Sequence, residues 1–205
     1  VSVVYLVRHG QASFGAADYD VLSPTGEQQA QVVGALLAER GVRPERAICG
    51  GLSRQRRTAE LLLAAGGYDL PVETDPRWDE YDHIGMVGEL DAPPTPRDFQ
   101  RLLDQALLGW VGGEPAGFAE FSAGANAALD GLAGGGTTLV VTSGGVIAAI
   151  AARLLGVPAP GFVALNRVMV NASITKVAHG RSGVSLLSCN EHGHFEGNRH
   201  LLTYR

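Results

Sequence analysis

Three short stretches of the chain place phosphate-competent side chains beside glycine. The first is Arg8-His9-Gly10, which follows directly on the apolar run 3–7. A guanidinium offers a planar fork of donors that matches phosphate oxygens. A neutral imidazole is a competent nucleophile near neutral pH, and glycine lets a ligand approach the backbone closely. Taken alone, this His also reads as a simple cap on a strand end. The second stretch runs from Leu52 through Ser53, Arg54, Gln55, Arg56 and Arg57 to Thr58, after Gly50-Gly51. Arg54 falls in the first turn of a predicted helix, where a cation is unfavourable unless an anion sits nearby. Such a local conflict marks a functional position, whereas Arg56 and Arg57 read as a solvated basic face. The third is Ser143-Gly144-Gly145, a sharp turn between an apolar run and a helical pattern. It partly matches a nucleophile elbow with Ser143 as the serine. However, Val141 stands where that pattern has glycine, and no acid lies between Ser143 and His179.

Each stretch needs a strand before it and a helix after it. The pattern supplies both. Residues 3–7, 46–49, 71–74 and 137–142 read as short buried strands. Ser23-Pro24 followed by Glu27 is a helix start, and Gly41 a stop. Further helices are predicted over 53–65, 97–110, 119–132 and 146–155. Strands over 168–177 and 184–188 form a hairpin around 180–183. Alternating strands and helices imply a three-layer α/β/α sandwich with a predominantly parallel sheet and an antiparallel C-terminal strand. Ligands of such sheets bind beyond the carboxyl ends of the strands, where all three stretches fall. Residues 1–205 are expected to form one domain, and the irregular middle, around 85–119, is expected to act as a cap or lid.

Composition narrows the partners. The net charge is −5, and Lys176 is the single lysine. No basic run suits nucleic acid or lipid headgroups, so affinity for an anion must be local. Cys49 and Cys189 lack metal-site spacing and read as free thiols of a reducing compartment. The apolar start lacks a basic n-region and a small-residue cleavage site, so it reads as a strand. The expected location is the cytoplasm. The expected partner is a small phosphorylated substrate, with no nucleic acid and no membrane, and with a homodimer left open.

Together these residues resemble the histidine phosphatase superfamily, also called the phosphoglycerate mutase-like family, over nearly the whole chain. Arg8-His9-Gly10 matches its first signature. Leu22-Ser23, Gly26, Gln29 and Ala30 match the helix that follows. Leu52, Arg54, Thr58 and Ala59 match the second block, and Gly144-Gly145-Val146-Ile147 the third. Asn171-Ala172-Ser173-Ile174 resembles a late strand of the family. The resemblance implies that His9 is the phosphorylated nucleophile and that Arg8 and Arg54 clamp the phosphoryl oxygens. Glu80 is the implied general acid, with Asp79 and Asp82 as alternatives in the same loop. Gly10, Gln11, Ser13, Ser143 and Gly144 are expected to line the substrate. Neither cofactor nor metal is expected, because arginines and helix dipoles supply the positive charge.

The chain departs from the family pattern in two places. Ser143 stands where the family has a second catalytic His, and a hydroxyl donates a hydrogen bond without charge. His83 and His192 are the candidates to reach in instead. Ala12 and Gly15 stand where mutases carry Ser and Asn, with Ser13 one place off. The expected reaction is therefore hydrolysis of a phosphate monoester, ahead of a mutase or a non-catalytic phospho-ligand domain.

Overall fold

The computed structural model describes residues 1–13, 20–88 and 95–204, with the backbone alone at His83, Ile84 and Pro96. Its centre is a six-stranded sheet in the order β3-β2-β4-β1-β5-β6. The strands are β1 (Ser2–Arg8), β2 (Arg46–Cys49), β3 (Val72–Thr74), β4 (Thr137–Thr142), β5 (Ile174–Gly180) and β6 (Gly183–Glu191). β1, β2, β3 and β4 pair in parallel, and β5 runs antiparallel to both β1 and β6. Strand alternation divides the core between two faces. Val4, Leu6, Ile48 and Val140 join one apolar cluster, and Val7, Cys49, Leu139 and Val141 join the other.

Helices α1 (Pro24–Glu39) and α2 (Ser53–Gly66) cover the second cluster through Val33, Leu37, Ala59 and Leu62. The opposite face is covered by α4 (Pro96–Val111), α5 (Phe118–Asp130), α6 (Gly144–Leu155) and α7 (Ala159–Val168). The three-layer arrangement and mostly parallel sheet match the pattern read from sequence.

Local chemistry explains the helix bounds. The Ser23 side chain accepts from Gly26 N and Pro24 opens α1, as the sequence suggests. α2 ends at Gly67, whose φ of +64° suits a residue without Cβ. Three predictions are corrected. α6 starts at Gly144, two residues early, because Ser143 is extended and already serves as its N-cap residue. Residues 159–168 form α7, and the strand predicted from 168 begins at Ile174. The short helix α3 (His83–Val87) lies in a stretch read as irregular. The proposed lid segment holds α3 and α4, while 89–94 lie outside the described residues. α4 buries Leu103, Leu107 and Trp110 in the core. Among the described residues no helix is long and apolar enough to cross a membrane, and both cysteines are free.

Candidate active site at the carboxyl ends of β1, β2 and β4

The register pairs Arg8 with Thr142, and His9 N donates to Thr142 O at 2.8 Å. His9 and Ser143 are therefore the next residues at two neighbouring strand ends. The switch in strand order between β1 and its flanks opens the crevice that such sheets use for ligands. Gly10 N donates to Thr58 Oγ1 at 3.0 Å, and that hydroxyl donates to Arg54 O at 2.7 Å, tying the β1 loop to α2. A Cβ on Gly10 would stand 2.3 Å from Gly26 O, so only glycine admits the close approach of α1.

His9 is buried, and its ring is held from both sides. Nδ1 lies 2.7 Å from Gly10 O, and Arg54 Nε lies 3.2 Å from Nε2. A carbonyl can only accept and a guanidinium can only donate. The ring is therefore the neutral tautomer with its proton on Nδ1 and its lone pair on Nε2. Arg54 is itself buried, and its Nη1 pairs with Asp20 Oδ1 at 2.7 Å. Asp20 also accepts from Ser53 N at 2.7 Å and Arg54 N at 3.4 Å. The anion that the α2 N-terminus called for is thus present within the chain. Sequence reasoning missed Asp20; the unfavourable placement of Arg54 was the signal that some anion had to be close.

Arg8 directs Nη1 to Met169 O and, at 3.0 Å, to Tyr204 O. Its Nε lies 3.3 Å from where a Gly144 Cβ would sit, which puts Gly144 against the guanidinium. The acidic loop follows β3 and a 3-10 turn at Pro76–Trp78. Glu80 accepts from Gly145 N at 3.1 Å, and burial pushes its carboxyl up from the ordinary range against the opposing pull of Gly145 N–H, Arg54 and Arg8. Asp79 accepts from Gly51 N, and burial raises its carboxyl as well. Asp82 accepts from Gly85 N at 2.8 Å and so serves α3. Beside Asp79 lies a cavity of about 310 Å³ lined by Pro76, Arg77, Gly117, Glu120 and Phe121 among others.

The remaining predicted residues make the following contacts. Gln11 accepts from Ser23 Oγ at 2.9 Å, and its N–H donates to Gln29 Oε1 at 2.8 Å, so it fixes the start of α1. Ser13 N donates to Val21 O at 2.7 Å, beside the bridge between Ala12 and Leu22. Ser143 is fully buried, and its Oγ accepts from Gln55 Nε2 at 2.8 Å. His192 lies beyond β6, with β5 between it and β1, and its Nδ1 is 2.5 Å from Asn190 O. The side chain of His83 lies outside the described residues. Besides Asp20, sequence reasoning missed the role of Gln55, which it named only as part of the second stretch.

Comparison with known proteins identifies the family. The model of the histidine phosphatase superfamily (branch 1) matches residues 4–192. The chain belongs to the histidine phosphatase superfamily. Over 97 residues it is 36% identical to a 2,3-bisphosphoglycerate-dependent phosphoglycerate mutase of Thermobifida fusca, covering 43% of this chain and 39% of that protein. Among solved structures, it is similar to a mycobacterial glucosyl-3-phosphoglycerate phosphatase complexed with VO3, with a TM-score of 0.70, 24% identity and coverage of 94% and 100% of the two chains. It is also similar to YhfR of Bacillus stearothermophilus, with a TM-score of 0.74, 22% identity and coverage of 96% and 100%. These structural neighbours share the fold, and both phosphatases and mutases stand among the relatives.

Proposed function

We propose that the chain is a phosphatase that hydrolyses a phosphate monoester through a phosphohistidine on His9. The observation that carries this reading is the tautomer of His9, whose Nδ1–H is anchored on Gly10 O while Nε2 presents its lone pair toward Arg54. In the first step the Arg54 N–H passes from Nε2 to a phosphoryl oxygen, the freed Nε2 lone pair attacks phosphorus, and the bond from phosphorus to the ester oxygen breaks. Arg54 and Arg8 hold the phosphoryl oxygens, and Glu80, whose carboxyl burial shifts toward the protonated form, gives its proton to the leaving alcohol. In the second step the Glu80 carboxylate takes a proton from water as that water attacks the phosphohistidine. Inorganic phosphate leaves and His9 is restored. The arginines and backbone N–H groups stabilise charge without a metal.

Glu80 is favoured over its neighbours by position. It bonds to the first turn of α6, whereas Asp82 is engaged with α3 and Asp79 with Gly51. Ser143 takes the place of the family's second His, supplying one hydrogen bond and no charge. The cavity beside Asp79 and the stretch 85–119 are the proposed seat of the leaving group. Turnover of p-nitrophenyl phosphate that disappears in His9→Ala is the expected result. Phosphate binding without turnover, unchanged by that substitution, would refute hydrolysis and favour a binding domain.

A further inference from the structure

We propose that Gln55 is a positioning residue that aims the hydroxyl proton of Ser143 at the phosphoryl group. The inference rests on the hydrolase reading above and follows from counting donors and acceptors. Gln55 Nε2 lies 2.9 Å from Trp78 O, a group that can only accept, and Gln55 Oε1 lies 3.4 Å from Leu52 N, which can only donate. These two backbone groups fix which end of the carboxamide is nitrogen. The atom 2.8 Å from Ser143 Oγ is therefore an NH2 nitrogen, and Ser143 must accept from it.

The rest of the network is closed. Both Nε2 hydrogens are used, one on Trp78 O and one on Ser143 Oγ. Trp78 O also accepts from Thr142 Oγ1 at 2.7 Å, so both of its lone pairs are occupied. The Ser143 proton can go neither to Gln55 nor to Trp78. Gln55 and Ser143 are fully buried, which excludes bulk water as the default acceptor. Ser143 follows the last residue of β4 as His9 follows the last residue of β1, and Gln55 follows Arg54 on α2. On the hydrolase reading, the acceptor left to the proton is a phosphoryl oxygen on the neighbouring His9. A freely rotating hydroxyl would spend part of its time with a lone pair facing those oxygens, and a preorganised donor avoids that loss.

The test is a double-mutant cycle with p-nitrophenyl phosphate. Ser143→Ala is expected to lower kcat by about a hundredfold, the scale of one lost preorganised donor. Gln55→Met is expected to lower kcat by about tenfold in the parent, and by less than about twofold once Ser143 is Ala. Equal effects in both backgrounds, or no effect in the parent, would overturn the proposal. If the parent shows no turnover, hydrolysis fails separately, and the same four proteins are compared by affinity for inorganic phosphate. There, weakening by Gln55→Met confined to the Ser143 background supports the proposal, and equal weakening refutes it. A crystal of the unmutated chain with orthovanadate gives a check that needs no variant. Ser143 Oγ within about 3 Å of a vanadate oxygen, with the Gln55 bond intact, is expected. A hydroxyl turned away from the vanadate would sink the idea.

Discussion

Gly145→Ala is a substitution of one methyl group that should disable the proposed general acid without touching the nucleophile. A Cβ at Gly145 would stand 2.2 Å from Glu80 Oε1 and 2.4 and 2.7 Å from two Tyr81 ring carbons. Something must move. Tyr81 is poorly placed to do so. Its ring packs against Trp110 at 5.3 Å, Phe121 at 5.8 Å and Phe162 at 6.5 Å, and its hydroxyl accepts from Asn166 Nδ2 at 2.9 Å. Glu80 is held by two backbone N–H groups, Gly145 at 3.1 Å and Tyr81 at 3.3 Å, so the carboxylate is displaced first. Overpacking of this kind costs about 1–3 kcal/mol in stability. Loss of a positioned acid costs about a hundred- to ten-thousandfold in rate. The informative quantity is kcat/KM, which reports steps through the first irreversible one, taken here as transfer of phosphorus to His9. It should fall steeply for p-nitrophenyl phosphate and much less for 2,4-dinitrophenyl phosphate, whose leaving group needs little protonation. Equal losses on both esters would show that Gly145 does not act through the acid. An unchanged kcat/KM would remove Glu80 from the mechanism.

Two further outcomes follow from the same geometry. Burial raises the Glu80 carboxyl in the folded chain. Below the ordinary carboxylate range the group is protonated whether folded or unfolded and contributes nothing. As pH rises the unfolded chain ionises first, so the folded state loses stability until the pH passes the raised value. Glu80→Gln should therefore match the parent in thermal midpoint at acidic pH and exceed it at pH 8, and equal midpoints at both pH values would refute the assignment. Ser143→His looks from the sequence like a repair that restores speed, but Gln55 Nε2 lies 2.8 Å from the buried Ser143 Oγ and occupies the space an imidazole needs. Steady-state assays should show the single variant slower than the parent and Gln55→Ala/Ser143→His at least about tenfold faster than the single variant. A single variant that outpaces the parent would contradict this packing.

What was legible in the sequence was local. The strand before His9 and the capped start of α1 are each specified by neighbouring residues, and they stand where expected. α7 has no clear start in the sequence because Pro158, Pro160 and Gly161 mask it, although proline is tolerated in a first helical turn. Contacts distant in sequence were not legible. Asp20 meets Arg54 across 34 positions, and Gln55 meets Ser143 across 88. Nothing in the composition of a Gly- and Asp-containing loop says which acid turns inward. The placement of Arg54 showed that an anion was required, and folding supplied its identity.

The carbonyl of Trp78 has a consequence for how this chain could diversify. By accepting from both Thr142 and Gln55 it fastens the acidic loop to β4 and to α2 at one atom, two residues before Glu80. Residues beyond Tyr81 that do not pack on its ring can change without shifting this anchor. On the proposed mechanism, substrate preference and bond cleavage are then separable properties. Exchange of the segment beyond Glu80 between members of the superfamily becomes a route to new specificities on an unaltered reaction centre.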